Sequence, residues 1–304
     1  MKITNFGGNV SFTPKYYYTP VDENEVLDIL NKHAVGKIRV RASMHAWSDA
    51  IVSNDVCVNL MNLNDIVITK QDDGSVEVQV GSGCTLTDLI NSIEKQTETT
   101  IPTLGAITRQ TIAGAISTGT HGTGKPSLSH YIESVRIAAF DKATGKAKIF
   151  EYNSGVGLEA ARCSLGCMGV ILSVKFHTVP QYWVEEKLVR RGSLEEVLSS
   201  EEAFPLQQFA LFPYLWKYFV YQRRPFTAKP NYSIALNTIF RLIDVVSTEF
   251  LAHVLLKLIL LLSSIFSNLS LVAWFYKKFV PALIITHTYI NTSTEGLTLH
   301  NQWC

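Results

Sequence analysis

Three separated blocks hold the residues most able to build a ligand site: Val40 to Asp49 (VRASMHAWSD), Leu104 to Gly124 (LGAITRQTIAGAISTGTHGTG) and Ala161 to Val170 (ARCSLGCMGV). A pyrophosphate is held by backbone N–H groups that converge without Cβ obstruction, and small residues in a turn supply that concave nest. Two of the three blocks have that composition. His45 stands out as an imidazole in a small-residue turn directly after a strand, with Trp47 close by.

Two shorter patterns come near nucleotide-binding fingerprints. Gly81-Ser82-Gly83-Cys84-Thr85-Leu86 follows a strand and opens a helix, but Leu86 stands where a third glycine is needed, so the pattern reads as a tight strand-to-helix turn. Gly119-Thr120-His121-Gly122-Thr123-Gly124-Lys125 has the spacing of a phosphate-cradling loop. The next residue, Pro126, offers magnesium no hydroxyl and has no amide hydrogen, which leaves a nucleotide hydrolase as a runner-up. His121 and His130 read as structural histidines.

Elements must hold these blocks in place. Asp22 and Glu25 fit a capping box, with Val21 and Val26 as its hydrophobic staple, before a helix at about 23 to 33. Lys37 to Val40 reads as a strand. Ile66 to Thr69 pairs with Val76, Val78 and Val80 across Asp73-Gly74, and Leu86, Leu89, Ile90 and Ile93 lie at helical spacing after Thr85. Strands are expected at Val135 to Phe140, Lys146 to Tyr152 and Gly169 to His177. After Pro180 the texture changes. A strand at Trp183 to Arg190, a short helix capped by Ser193 and Glu196, and aromatic strands at Gln207 to Pro213 and Lys217 to Gln222 place a domain boundary near Pro180, giving domains 1–180 and 181–304.

Composition narrows the function classes. With 304 residues, 47% hydrophobic and 17% charged, the chain is long and apolar enough for two globular domains. The balance of 27 Lys plus Arg against 26 Asp plus Glu provides no field for nucleic acid, which is disfavoured, and no nucleic acid is expected as a partner. Five cysteines without a CxxC pair leave no zinc module or disulfide framework, and no metal site is expected. The N-terminal residues lack an apolar stretch of signal-peptide length. Between Lys257 and Lys277 the run 258–276 is uncharged, within an apolar helical segment spanning 250–285. Its length suits a bilayer span, while its Ser and Asn residues suit a buried helix pair equally well. Localisation is therefore either cytoplasmic or membrane-associated through 258–276.

Taken in order, Tyr16-Tyr17-Tyr18-Thr19-Pro20, the loop at His45, LGAITRQTIAGAISTGTHGTG and Leu165-Gly166-Cys167-Met168-Gly169-Val170 resemble the flavin oxidases with a vanillyl-alcohol-oxidase-type (PCMH-type) FAD-binding domain, and within them the gulonolactone and D-arabinono-1,4-lactone oxidases. The resemblance runs from about Ile3 to Pro180. It implies an α+β fold, with a PCMH-type FAD-binding domain of two α+β subdomains followed by an incomplete α+β cap domain. It also implies FAD as cofactor, bonded covalently through His45 to the 8α carbon, since a neutral imidazole is a nucleophile toward that electrophilic position. Carried onto this chain, the cofactor-binding residues are Ala42, Ser43, Met44, His45 and Ala46 in the first loop. Gly105, Ala106, Thr111, Gly114, Ser117 and Thr118 follow in the second block, and Gly166, Gly169 and Val170 in the third. Where the family carries glycine or serine, this chain has Ala42, Met44 and Ala46.

The implied reaction is hydride transfer from a carbinol carbon of a sugar-1,4-lactone or polyol to flavin N5, with reoxidation by oxygen. The family's late segment resembles His300-Asn301-Gln302-Trp303-Cys304, with Gln302 at the acidic position, and the downstream elements are absent. No catalytic acid or base is assigned. A flavin-binding but catalytically inactive homologue, held at a membrane, is the alternative.

Overall fold

The computed structural model describes residues 1–212, 215–265, 269–279 and 288–292. They divide into two compact units, residues 1–122 with 126–180, and residues 123–125 with those from 181 onward.

The first unit opens with a short antiparallel pair, β1 (Ile3–Thr4) and β2 (Ser11–Phe12). β3 (Tyr16–Tyr18), α1 (Glu23–Lys32), β4 (Ile38–Arg41) and β5 (Val56–Asn59) follow, and the three strands form a parallel sheet with β5 at its centre. Asp22 caps α1, its carboxylate accepting from the Glu25 N–H at 2.8 Å, while the Glu25 carboxylate accepts from the Val21 N–H at 2.9 Å. The expected staple is not made. Val26 is buried among Val56 and Val58, but Val21 is 61% exposed, because the reach-back bond to its N–H leaves its side chain facing solvent.

A five-stranded antiparallel sheet forms the larger part of this unit. β6 (Ile66–Lys70) and β7 (Val76–Gly81) lead to α2 (Leu86–Gln96), the two-residue β8 (Thr99–Thr100) and α3 (Ile112–Ser117). β9 (Ile132–Phe140), β10 (Ala147–Tyr152), α4 (Gly155–Arg162), β11 (Val170–His177) and β12 (Val179–Pro180) follow; the sheet order is β10-β9-β11-β7-β6, and β12 pairs with β8 apart from it. On β7 the buried Val76, Val78 and Val80 alternate with half-exposed Glu77 and Gln79, the period of two that one covered face demands. Leu86, Leu89, Ile90 and Ile93 turn one face of α2 into the same core, together with Ile112, Ile116 and Phe176. A second core joins α1 and β5 to Ala138, Val170 and Leu172.

Both near-fingerprint glycine runs serve close backbone packing. A Cβ on Gly81 would lie 2.3 Å from the Leu63 carbonyl oxygen, and one on Gly83 would lie 1.9 Å from that of Leu60. In the later run, a Cβ on Gly122 would lie 2.6 Å from the Leu104 carbonyl oxygen.

In the second unit, β13 (Trp183–Arg191), β14 (Gln208–Phe212), β15 (Lys217–Phe226) and β16 (Thr288–Thr292) form an antiparallel sheet of order β14-β15-β13-β16. A short helix, α5 (Leu194–Leu198), capped by Ser193, packs Val197 against Val189 and Val220. Buried Glu186 pairs with Arg223 and accepts the Tyr289 hydroxyl, so its charge is compensated where it lies. α6 (Ile234–Asp244) ties to β16 through the Asn237 amide, which donates to the Ile290 carbonyl at 2.8 Å and accepts from the Ile290 N–H at 2.6 Å.

A π-helical turn (Val245–Leu251) leads into α7 (Ala252–Ile265), and α8 (Leu269–Phe279) follows. The uncharged run 258–276 is thus divided between two helices on either side of residues 266–268. Among the described residues no helix is long and apolar enough to cross a membrane. Residues 280–285 of the apolar segment and 300–304 of the late segment lie outside the described residues.

Candidate flavin site

The loop 42–47 leaves the end of β4 and is fastened from two sides. Arg41 donates to the Tyr17 hydroxyl and, through Nη1, to the Ala42 carbonyl at 3.1 Å. The first hairpin supplies the other side. The Asn5 amide donates to the Ala46 carbonyl at 2.9 Å, Asn9 donates to the Trp47 carbonyl at 3.1 Å, and the Phe6 N–H donates to the Met44 carbonyl at 3.0 Å. Met44 takes a φ of +64°, a left-handed conformation unfavourable for a residue with a side chain, at a position where the resembling family carries glycine.

This anchoring presents His45 to a cavity of about 510 Å³. Phe6, Ser43 and His45 line one part, and Thr85, Thr87, Asp88 and Arg109 complete the lining. The second group is brought there by segment 108–112, which runs beside the start of α2. The Leu86 N–H donates to the Gln110 carbonyl, the Thr87 N–H to the Thr108 carbonyl, and the Ile112 N–H to the Cys84 carbonyl, each at 2.9 Å. Thr85 caps α2 and donates its hydroxyl to Asp88 at 2.6 Å.

The electrostatics bear mainly on His45. Burial, and then the Arg109 guanidinium, hold its imidazole below the ordinary histidine range and so favour the uncharged ring. Its Nδ1 is buried without a hydrogen-bond partner, and its ring lies 4.9 Å from that of Phe6, with the planes 30° apart. The Ser43 hydroxyl, the cation of Arg109, an aromatic wall and an unpartnered imidazole nitrogen suit an anionic, aromatic ligand, while the Thr85 and Thr87 hydroxyls are spent on Asp88 and Thr108. The cavity volume lies within the range of small-molecule and cofactor sites. These residues therefore fit a flavin nucleotide.

Of the residues expected from sequence, the cavity gathers Ser43 and His45; Ala42, Met44 and Ala46 belong to the same loop. Thr111 is buried and caps α3, Gly114 is exposed in that helix, and the Thr118 hydroxyl donates to the Gly114 carbonyl at 3.1 Å. Gly105 is buried against Thr120, and Ala106 is exposed. The Ser117 carbonyl joins the second and third blocks, accepting from the Leu165 N–H at 3.3 Å and lying 3.5 Å from the Cys163 thiol. Gly166 is exposed with a φ of +78°. A Cβ on Gly169 would lie 2.5 Å from the Ala138 carbonyl oxygen, and Val170 is a core residue.

Phe6, Thr85, Thr87, Asp88 and Arg109 were not expected at a site. Arg109 carried a signal, as the one charged side chain between Leu104 and Gly124. Elsewhere, Glu77, Glu133 and His177 place ligand-capable atoms within 4.8 Å of one another across β7, β9 and β11. Lys175 lies 3.2 Å from Glu77, and His177 Nδ1 lies 2.8 Å from the Glu133 carboxylate, so this cluster reads as a cross-strand ladder of polar pairs.

Residues 14–148 match the model of an FAD binding domain. A long-chain alcohol oxidase from an uncultured marine euryarchaeote is 40% identical over 293 residues, covering 96% of this chain and 60% of that protein. The L-gulonolactone oxidase of Bos taurus is 28% identical over 221 residues, covering 71% of this chain and 48% of that protein. Among solved structures, cholesterol oxidase from B. sterolicum superposes with a TM-score of 0.69 at 15% identity, over 97% of this chain and 60% of that one, a likeness of fold. The chain spans 60% and 48% of the length of these two curated relatives.

Proposed function

The chain carries a PCMH-type FAD-binding domain, and on that premise we propose that it serves an FAD-dependent oxidase acting on a CH–OH group, with His45 as the covalent anchor of the flavin. The observation that carries this reading is His45, with its buried and unpartnered Nδ1, in the lining of a 510 Å³ cavity formed mainly by the matched residues 14–148. Bound FAD would supply the acceptor of the substrate's hydride and pass the electrons on to dioxygen. The chain's own residues would bind and orient it. The 42–46 loop and the stretch from Gly105 to Thr118 would hold the diphosphate, Arg109 would offset its negative charge, and Phe6 would shield the imidazole from water. Gly166, Gly169 and Val170 would lie nearby. In this reading residues 1–180 hold the flavin and 181–304 contribute to a substrate cap.

The substrate class favoured is a long-chain alcohol. Similarity to the alcohol oxidase is greater and extends over nearly the whole chain. The second unit also presents exposed Ile234, Leu236, Ile239 and Leu242 on α6, a surface suited to an apolar substrate or to the lipid layer that holds one. A second reading, oxidation of a sugar-1,4-lactone or polyol, is favoured by the lactone-oxidase relatives.

Hydrogen peroxide release from the flavin-loaded protein, with a dispersed long-chain primary alcohol against L-gulonolactone and D-arabinonolactone, separates the two. Faster release with the alcohol supports the first reading, and faster release with a lactone supports the second. Peroxide from neither, with flavin bound, makes the chain a flavin-binding protein without turnover.

A further inference from the structure

Phe6 has no role in the cores of its unit, yet it is an aromatic side chain 45% exposed at the lip of the cavity. Its ring faces His45 at 4.9 Å and meets Trp47 edge-on at 5.5 Å, and its own N–H is tied to the Met44 carbonyl at 3.0 Å. This backbone tie fixes where the Phe6 ring can lie, and the ring in turn restricts rotation of the imidazole about its Cβ–Cγ bond. Arg109 lines the same cavity, set there by the pairing of segment 108–112 with the start of α2.

We propose that Phe6 and Arg109 are positioning residues that ready His45 for its bond to the flavin, Phe6 by fixing the plane of the imidazole and Arg109 by its cationic field across the cavity. The proposal rests on the flavin-anchoring role given to His45 above. In the net step a C–H bond of the flavin 8-methyl group and the imidazole N–H are broken, and an N–C bond forms. The two electrons reduce the flavin ring system. Dioxygen reoxidises it, taking two electrons and two protons to hydrogen peroxide.

The attacking nitrogen must carry its lone pair, so a protonated imidazole cannot react. The charged groups lining the cavity with His45 are Arg109 and Asp88, and the Asp88 carboxylate is engaged by the Thr85 hydroxyl at 2.6 Å. Arg109 therefore acts on the imidazole in the productive direction, disfavouring its protonated form, as the lowered pKa of His45 also indicates. Phe6 acts through geometry, where a misaimed nucleophile slows a reaction even when its chemistry is intact.

The test follows covalent incorporation in the full chain, independent of turnover. Flavin-free protein is mixed with FAD in air, quenched in acid at intervals, and the flavin in the precipitated protein is measured against pH. At saturating FAD, Phe6→Ala is expected to slow incorporation about ten- to a hundredfold, with Phe6→Tyr restoring it. Arg109→Gln is expected to move the acid limb of the rate profile to higher pH, with Arg109→Lys holding the wild-type position. Wild-type incorporation with unchanged rates in Phe6→Ala and an unmoved limb in Arg109→Gln overturns this proposal alone. A wild-type protein that binds FAD but releases all of it in acid overturns the anchoring role of His45 and this proposal with it.

Discussion

The side-chain amide of Asn5 reaches the carbonyl of Ala46, 41 positions later in the chain, at 2.9 Å, and so ties the first hairpin to the loop that carries His45. The same side chain accepts from the Val10 N–H at 3.0 Å and donates to Asn9 at 2.8 Å. One buried asparagine therefore closes the hairpin and holds the site loop. Asn5→Ala is expected to cost about 1–3 kcal/mol, because it strands the buried Val10 N–H and the half-buried Ala46 carbonyl. Thermal unfolding with and without FAD checks this. The shift produced by FAD should shrink along with the melting temperature, and an unchanged FAD shift would separate the hairpin from the site.

Gly83 tests whether the Gly81-Ser82-Gly83 turn serves packing or phosphate. A Cβ there would meet backbone, the Leu60 carbonyl at 1.9 Å, which cannot move aside as a flexible side chain could. Gly83→Ala should destabilise the FAD-free protein by about 3 kcal/mol. A variant that melts normally without FAD and fails only in binding it would return the turn to phosphate recognition.

Much of this fold was legible because the deciding interactions are local. The Asp22 and Glu25 cap, the alternation of Val76, Val78 and Val80, and the helical spacing of Leu86, Leu89, Ile90 and Ile93 each involve residues within one element. The staple failed at Val21 because a single backbone bond redirected the side chain. The site was legible as far as His45 and its loop. Its remaining lining was not, since Phe6 and Arg109 reach His45 through hairpin and loop pairings that leave no periodic trace in the sequence. The buried Glu186 with Arg223 and Tyr289 escaped for the same reason, for only the sheet register brings these residues together.

The lowered pKa of His45 fixes the sign of a pH effect. Its folded-state pKa lies below the ordinary histidine value of 6.5, so the unfolded chain binds the proton more readily. The stability contributed by the neutral imidazole is present above 6.5 and is lost as pH falls through the folded-state value. The melting temperature of flavin-free protein should therefore fall more steeply below pH 6.5 in the wild type than in His45→Gln. Parallel curves would mean that His45 is not titrating against its burial.

Thiol reactivity should divide by environment. Burial pushes the Cys84 thiol up to about 12, and burial also raises that of Cys57, whereas Cys163 and Cys167 are exposed. An alkylating reagent at mildly alkaline pH should label Cys163 and Cys167 in the native protein and reach Cys57 and Cys84 only after unfolding. Because the Cys163 thiol lies 3.5 Å from the Ser117 carbonyl, in the stretch proposed to hold the diphosphate, FAD should slow its labelling. Labelling of Cys84 at the native rate of Cys163 would contradict the burial of Cys84 in the core.

The most direct test of the account is to digest the flavin-loaded protein after denaturation, separate the peptides by their visible flavin absorbance, and sequence the coloured one by mass spectrometry. A single coloured peptide containing His45, lost in His45→Ala while that variant remains folded, is the predicted result. Flavin recovered free of every peptide, or attached to one without His45, would contradict the assignment of His45 as the anchor.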